Sequence, residues 1–211
     1  MWMRKLFWLL VCAGALEAQP VSFGVKGGVR LTGDLDSYSA TSESKRYVVG
    51  PMVTVGLPLK LRLEFDALYR RVGFRSGNGD ILGGSFAVRD RGNSWEFPII
   101  VRRTFWRGVY AGVGYAPRTI NGSSHVDSIL ATGLNPVIRT YSEYTRPGSW
   151  ETTHGVVGAA GFEKRVGPVW VEPEVRYVHW NKPAVNLYGS HGFSIQSTQD
   201  QVDVMVGIRF P

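Results

Sequence analysis

Apolar and polar positions alternate along this chain with a period of two, most clearly at its C-terminal end. From Val202 to Phe210, the residues Val202, Val204, Val206, Ile208 and Phe210 fall on one face, and Asp203, Met205, Gly207 and Arg209 on the other. Successive strand side chains point to opposite faces, whereas a helix would repeat every 3.6 residues, so the pattern predicts a β-strand. The stretch 59 to 71 is equally clear: Leu59, Leu61, Leu63, Phe65, Ala67 and Tyr69 oppose Lys60, Arg62, Glu64, Asp66 and Arg70. The same period recurs over 21–32, 46–57, 95–103, 108–118, 154–164 and 169–179, which brings the total to eight segments.

The connections between these segments also alternate. Those near Leu57 to Leu59, Thr104 to Arg107 and Arg165 to Gly167 are tight, while 33–45, 72–94, 119–150 and 181–198 are long and rich in Asn, Gly, Ser, Pro and Asp, as loops require. Long and short connections on opposite sides predict an up-and-down meander of even strand number. Closing it into a barrel removes both exposed edges. The expected fold class is therefore all-β: an eight-stranded antiparallel up-and-down transmembrane β-barrel with four long loops on its outer side.

Alternation alone does not say which face lies inside, and a soluble lipid-carrying barrel would put its apolar face inward. The polar face argues for inversion because it carries both signs in near balance. Arg30, Arg62, Arg70, Arg102, Arg176 and Arg209 stand against Glu64, Asp66, Glu96, Glu172, Glu174 and Asp203, with Lys26, Lys60, Arg118 and Glu163 on the same face. Such charges can pair inside a narrow lumen, where an unpaired one would cost several kcal/mol. Aromatics gather at segment ends: Tyr47, Tyr69, Trp95 and Trp180 toward the long loops, and Phe23, Trp106, Phe162, Trp170 and Phe210 toward the short turns. They are expected to form two interfacial girdles.

Composition adds a route and removes some chemistry. Arg4 and Lys5, the apolar run Leu6 to Val11 and the small residues Ala13 to Ala18 have the order of a secretory leader, so residues 1–18 are expected to be cleaved from a barrel of 19–211. The only cysteine, Cys12, lies within that leader, which leaves the mature chain no disulfide or thiolate chemistry. The whole chain carries +7. In the long loops Asp34, Asp36, Glu43, Asp80, Asp90, Asp127 and Glu143 balance Lys45, Arg75, Arg89, Arg91, Arg139, Arg146 and Lys182, so no exposed basic surface and no nucleic-acid partner are expected. Arg71, just beyond Tyr69, could reach a lipid phosphate or simply snorkel.

The last strand, apolar at every second position and ending on Phe210, resembles the C-terminal insertion signal of outer-membrane proteins. Over residues 21–211 the architecture resembles the small outer-membrane barrels of the OmpA-like and OmpX-like group, although Pro211 follows the aromatic that usually ends them. The resemblance implies residence in the bacterial outer membrane among its lipids. It also implies insertion from the periplasm by the barrel assembly machinery, with Val202, Val204, Val206, Ile208 and Phe210 as the signal.

Chemistry is sparse. His125, His154, His179 and His191 show no metal-ligand spacing, and no glycine motif able to cradle a phosphate is present, so no metal and no cofactor are expected. Ser190, His191 and Ser194, and Ser123, Ser124, His125 and Asp127, are the groupings a lipid hydrolase could use, yet these residues are also ordinary loop formers. The expectation is a monomeric, non-enzymatic barrel with a plugged polar lumen that serves as an anchor or as a surface module for an unidentified extracellular partner. A narrow pore and a lipid-modifying enzyme are the alternatives.

Overall fold

The computed structural model describes residues 21–36, 40–81, 84–132, 138–147, 152–184, 186–188 and 194–210. The leader 1–18 with Cys12, the loop residues Ser190 and His191, and Pro211 lie outside them. In chain order the strands are β1 (Val21–Arg30), β2 (Ala40–Ser42), β3 (Tyr47–Leu57), β4 (Leu61–Asp66), β5 (Leu68–Ile81), β6 (Gly84–Glu96), β7 (Ile99–Thr104), β8 (Val109–Thr132), β9 (Ile138–Pro147), β10 (Thr153–Phe162), β11 (Lys164–Val166), β12 (Val169–Trp180), β13 (Asn186–Tyr188), β14 (Ser194–Gln196) and β15 (Asp200–Phe210).

Antiparallel pairing runs from β1 to β3, on through β4 with β5 and β7 with β6, to β8, β10, β12 and β15, and back to β1. These are the eight predicted staves, and the sheet they form is closed. Its outward face is apolar: Val113 is 69% exposed, Val156 66% and Val25 51%, while inward neighbours such as Val157, Glu64 and Glu172 are fully buried. An exterior of this kind is stable only in hydrocarbon, so the fold is a transmembrane β-barrel with its polar side inside.

Two staves are interrupted. Ala67 separates β4 from β5, and Phe97 with Pro98 separates β6 from β7. Proline has no N–H for the ladder. Near the breaks, Ala67 N donates to Pro51 O at 3.1 Å, Asp66 N to Pro98 O at 3.1 Å and Phe97 N to Pro117 O at 2.9 Å, so the carbonyls of three prolines keep the sheet joined. The interrupted backbone leans into the lumen over glycines. A Cβ on Gly50 would lie 1.8 Å from Ala67 O, and one on Gly114 1.9 Å from Ile99 O, which leaves no room for any side chain at either position.

Two of the expected long loops prove to be largely strand. β5 pairs with β6 in regular register to Asn78 and Phe86 and again at Ile81 and Gly84, β8 with β6 as far as Ile129, and β9 with β8 from Ile138 to Pro147. Their Gly, Ser and Asp content hides a continuing pleat that extends the barrel wall outward on one side. β2 adds to its edge by pairing with β5. The remaining two connections meet across the mouth: Asp36 N donates to Gln196 O at 2.8 Å, Thr198 N to Asp34 O at 3.1 Å, and Leu35 bridges Ser197.

The stave expected to start at Leu59 begins at Leu61. Leu59 and Lys60 instead form a turn, at φ 63° and 60°, with Leu61 N donating to Pro58 O at 3.2 Å. Positive φ at both central positions fits the twist of a two-residue hairpin, but it suits Asn-Gly rather than Leu-Lys. A left-handed non-glycine residue costs about 1–2 kcal/mol. Replacing both (Leu59→Asn, Lys60→Gly) is therefore expected to stabilise the barrel by about 1–2 kcal/mol, read as a higher urea midpoint in vesicles with an unchanged slope.

Candidate functional site

The inward positions of neighbouring staves gather the charges of the polar face into two clusters, one at the centre of the lumen and one toward the long loops. At the centre Lys26 Nζ lies 2.5 Å from Glu64 Oε1 and 3.1 Å from Glu174 Oε2. Arg176 reaches Glu64 at 3.0 Å, Asp66 at 2.8 Å and Glu174 at 2.7 Å. These side chains come from β1, β4 and β12, so the contacts cross the lumen. They are 0–1% exposed. Tyr110 donates to Glu174 Oε2 at 2.9 Å, and Arg102 lies 4.6 Å from the centre of the Tyr110 ring.

Toward the short turns the chain of pairs continues. Arg102 Nη1 is 2.8 Å from both Glu64 and Glu172, and Arg209 is 2.6 Å from Glu172 and 3.3 Å from Glu163. Arg62 also bonds Glu163. Beyond them an open vestibule of about 500 Å³ is lined by Lys60, Arg62, Arg107, Glu163 and Trp170, among others.

Toward the long loops a second cluster forms. Arg70 is 3.0 Å from Asp203 and 3.7 Å from Glu96, and Gln201 donates to Glu96 at 3.2 Å and to Asp203 at 2.7 Å. Arg118 donates to Thr153 Oγ1 at 3.0 Å and stacks 3.8 Å from the centre of the Trp180 ring; Arg30 donates to Thr32 and Thr198. Among the described residues, hydroxyls and an aromatic face hold these last two guanidiniums.

Every member of the expected lumen set is inward, but three sequence placements change. Lys60 sits exposed in its turn rather than on the lumen face. Trp180, expected in the outer girdle, is fully buried and donates its indole N–H to Gln201 Oε1 at 3.2 Å. Trp170 also turns toward the lumen, against Arg209. Both tryptophans have the parity of Glu172, Glu174 and Arg176 on their strand, which is the signal that places them inside; size and position near the strand ends had suggested the girdles. Parity also adds Tyr110 and Gln201, which a search confined to charges misses.

Of the expected chemical groupings, Ser190 and His191 lie outside the described residues, and Ser123, Ser124 and His125 do not converge. Ser123 is exposed on the outer face while Ser124 is buried on the inner one, and His125 bonds Thr145 Oγ1 at 3.1 Å and Glu143 at 3.0 Å. At the rim on another flank, Tyr177 donates to Asp200 Oδ1 at 2.5 Å, and His179 Nδ1 is 2.8 Å from the same oxygen.

The outer face of the extended wall holds a group that the sequence sum concealed. Asp90 is buried on the inner face, whereas Arg89 and Arg91 on either side of it point outward. Arg89 is 2.7 Å from Glu43 Oε1 and Arg91 3.9 Å from Oε2. The hydrogen bond from Arg89, together with the charges of Arg89, Arg91 and Arg75, holds the Glu43 carboxyl below the ordinary glutamate range. The balanced loop charge of the sequence is thus unbalanced in space, and an exposed basic patch does exist.

No protein-family model and no curated protein matches the chain. Solved structures similar to it include Neisserial surface protein A, at 12% identity and a TM-score of 0.40 over 92% of this chain and 98% of that one. Another is Ail, the attachment invasion locus protein of Yersinia pestis, at 8% identity and a TM-score of 0.38 over 91% of this chain and 97% of that one.

Two outcomes follow from these contacts. Glu64→Gln leaves Lys26, Arg102 and Arg176 short of a shared carboxylate, and loss of one partner from a buried pair costs about 3–5 kcal/mol. Urea unfolding in vesicles should show a loss of that size, against about 1 kcal/mol or less for Glu43→Gln at the exposed rim. Glu43 is depressed in the folded state, so its contribution is complete above its unfolded pKa of about 4.3 and fades as pH falls through the lower folded value. Amide exchange over Ala40–Ser42 should therefore be protected equally from pH 5 to 8 once corrected for intrinsic rates. Protection should weaken below about pH 4, and Glu43→Gln should abolish that change.

Proposed function

We propose that the chain is an outer-membrane barrel of the small OmpA-like and OmpX-like architectural group, acting as a rigid anchor that presents a surface-interaction module outside the cell. The observation that carries this reading is the ion-paired interior. An eight-stranded barrel is just wide enough for side chains to fill, and the side chains of Lys26, Glu64, Arg102 and Arg176 are 0–1% exposed at its centre. An interior so occupied is suited to bearing load rather than to passing solutes. The extended wall of β5, β6, β8 and β9, edged by β2, is then the part offered to partners.

In this reading residues 1–18 direct secretion, and the outward row Val202, Val204, Val206, Ile208 and Phe210, which faces away from the lumen, is read by the barrel assembly machinery. The barrel works as a monomer and catalyses no reaction. A narrow pore is the second reading, favoured by the vestibule of about 500 Å³ on the short-turn side.

Planar-bilayer recording separates the two. The refolded barrel should show heat-modifiable mobility on a cold detergent gel yet give no stable conductance steps in molar potassium chloride. Uniform steps over many insertions would establish the pore and overturn the plugged anchor.

A further inference from the structure

We propose that the outer face of β2, β5 and β6 is a binding site for the phosphorylated headgroup of a lipid in the leaflet that surrounds the long-loop end of the barrel. This inference rests on the membrane reading above and assigns it a one-sided contact.

The lipid-facing band ends at an aromatic girdle. Tyr47, Tyr69 and Trp95 lie side by side on the lipid-facing surface, with ring centres 6.5 Å and 5.3 Å apart. Amphipathic rings of this kind mark the level at which hydrocarbon gives way to headgroups. Strand register fixes what comes next. Past the Tyr69 and Trp95 pair, the outward positions are Arg71 opposite Asn93, then Gly73 opposite Arg91, then Arg75 opposite Arg89. Each step of two residues advances about 7 Å along the strand. Arg71 and Arg91 therefore stand in the headgroup layer, and Arg75 and Arg89 just above it. Lys45 joins them, its backbone N–H bonded to Arg71 O at 2.9 Å.

Lys45, Arg71, Arg75 and Arg91 are exposed, and Arg89 is half-buried. The carboxylate set among them is Glu43, bonded to Arg89, so the patch keeps a net positive charge. Gly73 provides a floor for it: a side chain there would be 3.7 Å from both Glu43 Cβ and Arg91 Cγ, which fold over the glycine. Guanidinium forks match phosphate oxygens in two-point contact, and the headgroup layer strengthens such contacts relative to water. The flank carrying β12 and β15 offers Tyr177, His179 and Asp200 at its rim instead. Charge complementarity fits any phosphorylated anion, and continuity with the lipid-facing band points to a lipid rather than to a soluble polyanion.

The test uses the full barrel in nanodiscs of zwitterionic phospholipid doped with bis-phosphorylated lipid A or with lipid A stripped of its phosphates. Lipid retained after extraction into detergent is counted by native mass spectrometry. The phosphorylated lipid should be retained at least about tenfold over its stripped counterpart, given roughly 1 kcal/mol per basic residue near an anionic surface. The triple variant Arg71→Ser, Arg75→Ser, Arg91→Ser should lose most of that preference, and the triple lysine variant should keep part of it. Arg103→Ser at the opposite rim should leave it unchanged. Glu43→Gln, which removes the competing carboxylate, should raise retention several-fold and keeps the test decisive if the triple serine variant fails to fold. Equal retention of both lipids, no response to Glu43→Gln, or equally tight binding of soluble heparin through the same arginines would overturn the site. Failure of the wild type to insert into undoped nanodiscs would instead refute the membrane reading itself.

Discussion

Lys26 lies between Glu64 and Glu174, Arg176 between Glu64, Asp66 and Glu174, and Arg102 between Glu64 and Glu172. With hydrocarbon outside the wall and these side chains 0–1% exposed inside it, the charges are solvated chiefly by one another, helped by the Tyr110 hydroxyl and ring. Taking an ion from water into such a space costs several kcal/mol unless excellent geometry repays it. Each shared carboxylate therefore ties two or three staves to one another across the lumen. Closure of the sheet satisfies the backbone, and the network satisfies the side chains that closure traps. The two requirements meet in the same geometry, because only a barrel this narrow brings β1, β4 and β12 within reach of single side chains.

The pleat has a second consequence outside the hydrocarbon. Where the wall continues beyond the girdle, alternation still sends successive residues to opposite faces. Asp90 goes inward while Arg89 and Arg91 go outward, so a segment of modest net charge becomes a wall with a basic exterior. The inward face of this extension carries Phe74, Ser76, Val88, Asp90 and Ile120, all buried. The extension thus behaves as part of the barrel, with the same distinction between faces, and not as a set of independent loops.

Much of the architecture was legible because strand parity is a strong signal wherever apolar and charged residues alternate. Staves such as Val202 to Phe210 and Leu61 to Tyr69 declare their two faces residue by residue, and the inward charges follow from them. Parity was harder to read where glycine, serine and asparagine replace one partner of the alternation, so the outer halves of β5, β6 and β8 looked like loops. Trp180 misled for another reason. A large aromatic near a strand end suits a girdle, yet its indole N–H has a buried amide partner in Gln201 and its face a cation in Arg118. Ion-pair partners were beyond the reach of sequence, since they depend on which staves face each other across the lumen. The tight turn at Leu59 and Lys60 lacked the usual residues for positive φ and so merged with the strand that follows.

The assignment of the two faces can be tested directly with single cysteines placed at Val113 and at Ala159 in a Cys12→Ser background. Val113 is 69% exposed on the outside, and Ala159 is 6% exposed on the inside. Each is spin-labelled in vesicles, and its collision rates with oxygen and with a water-soluble nickel chelate are compared. The label at Val113 should meet oxygen freely and the chelate hardly at all, as in a bilayer interior, while the site at Ala159 should be shielded from both. Ready collision of the chelate at Val113, or an oxygen-rich environment at Ala159, would contradict a barrel turned with its charges inward.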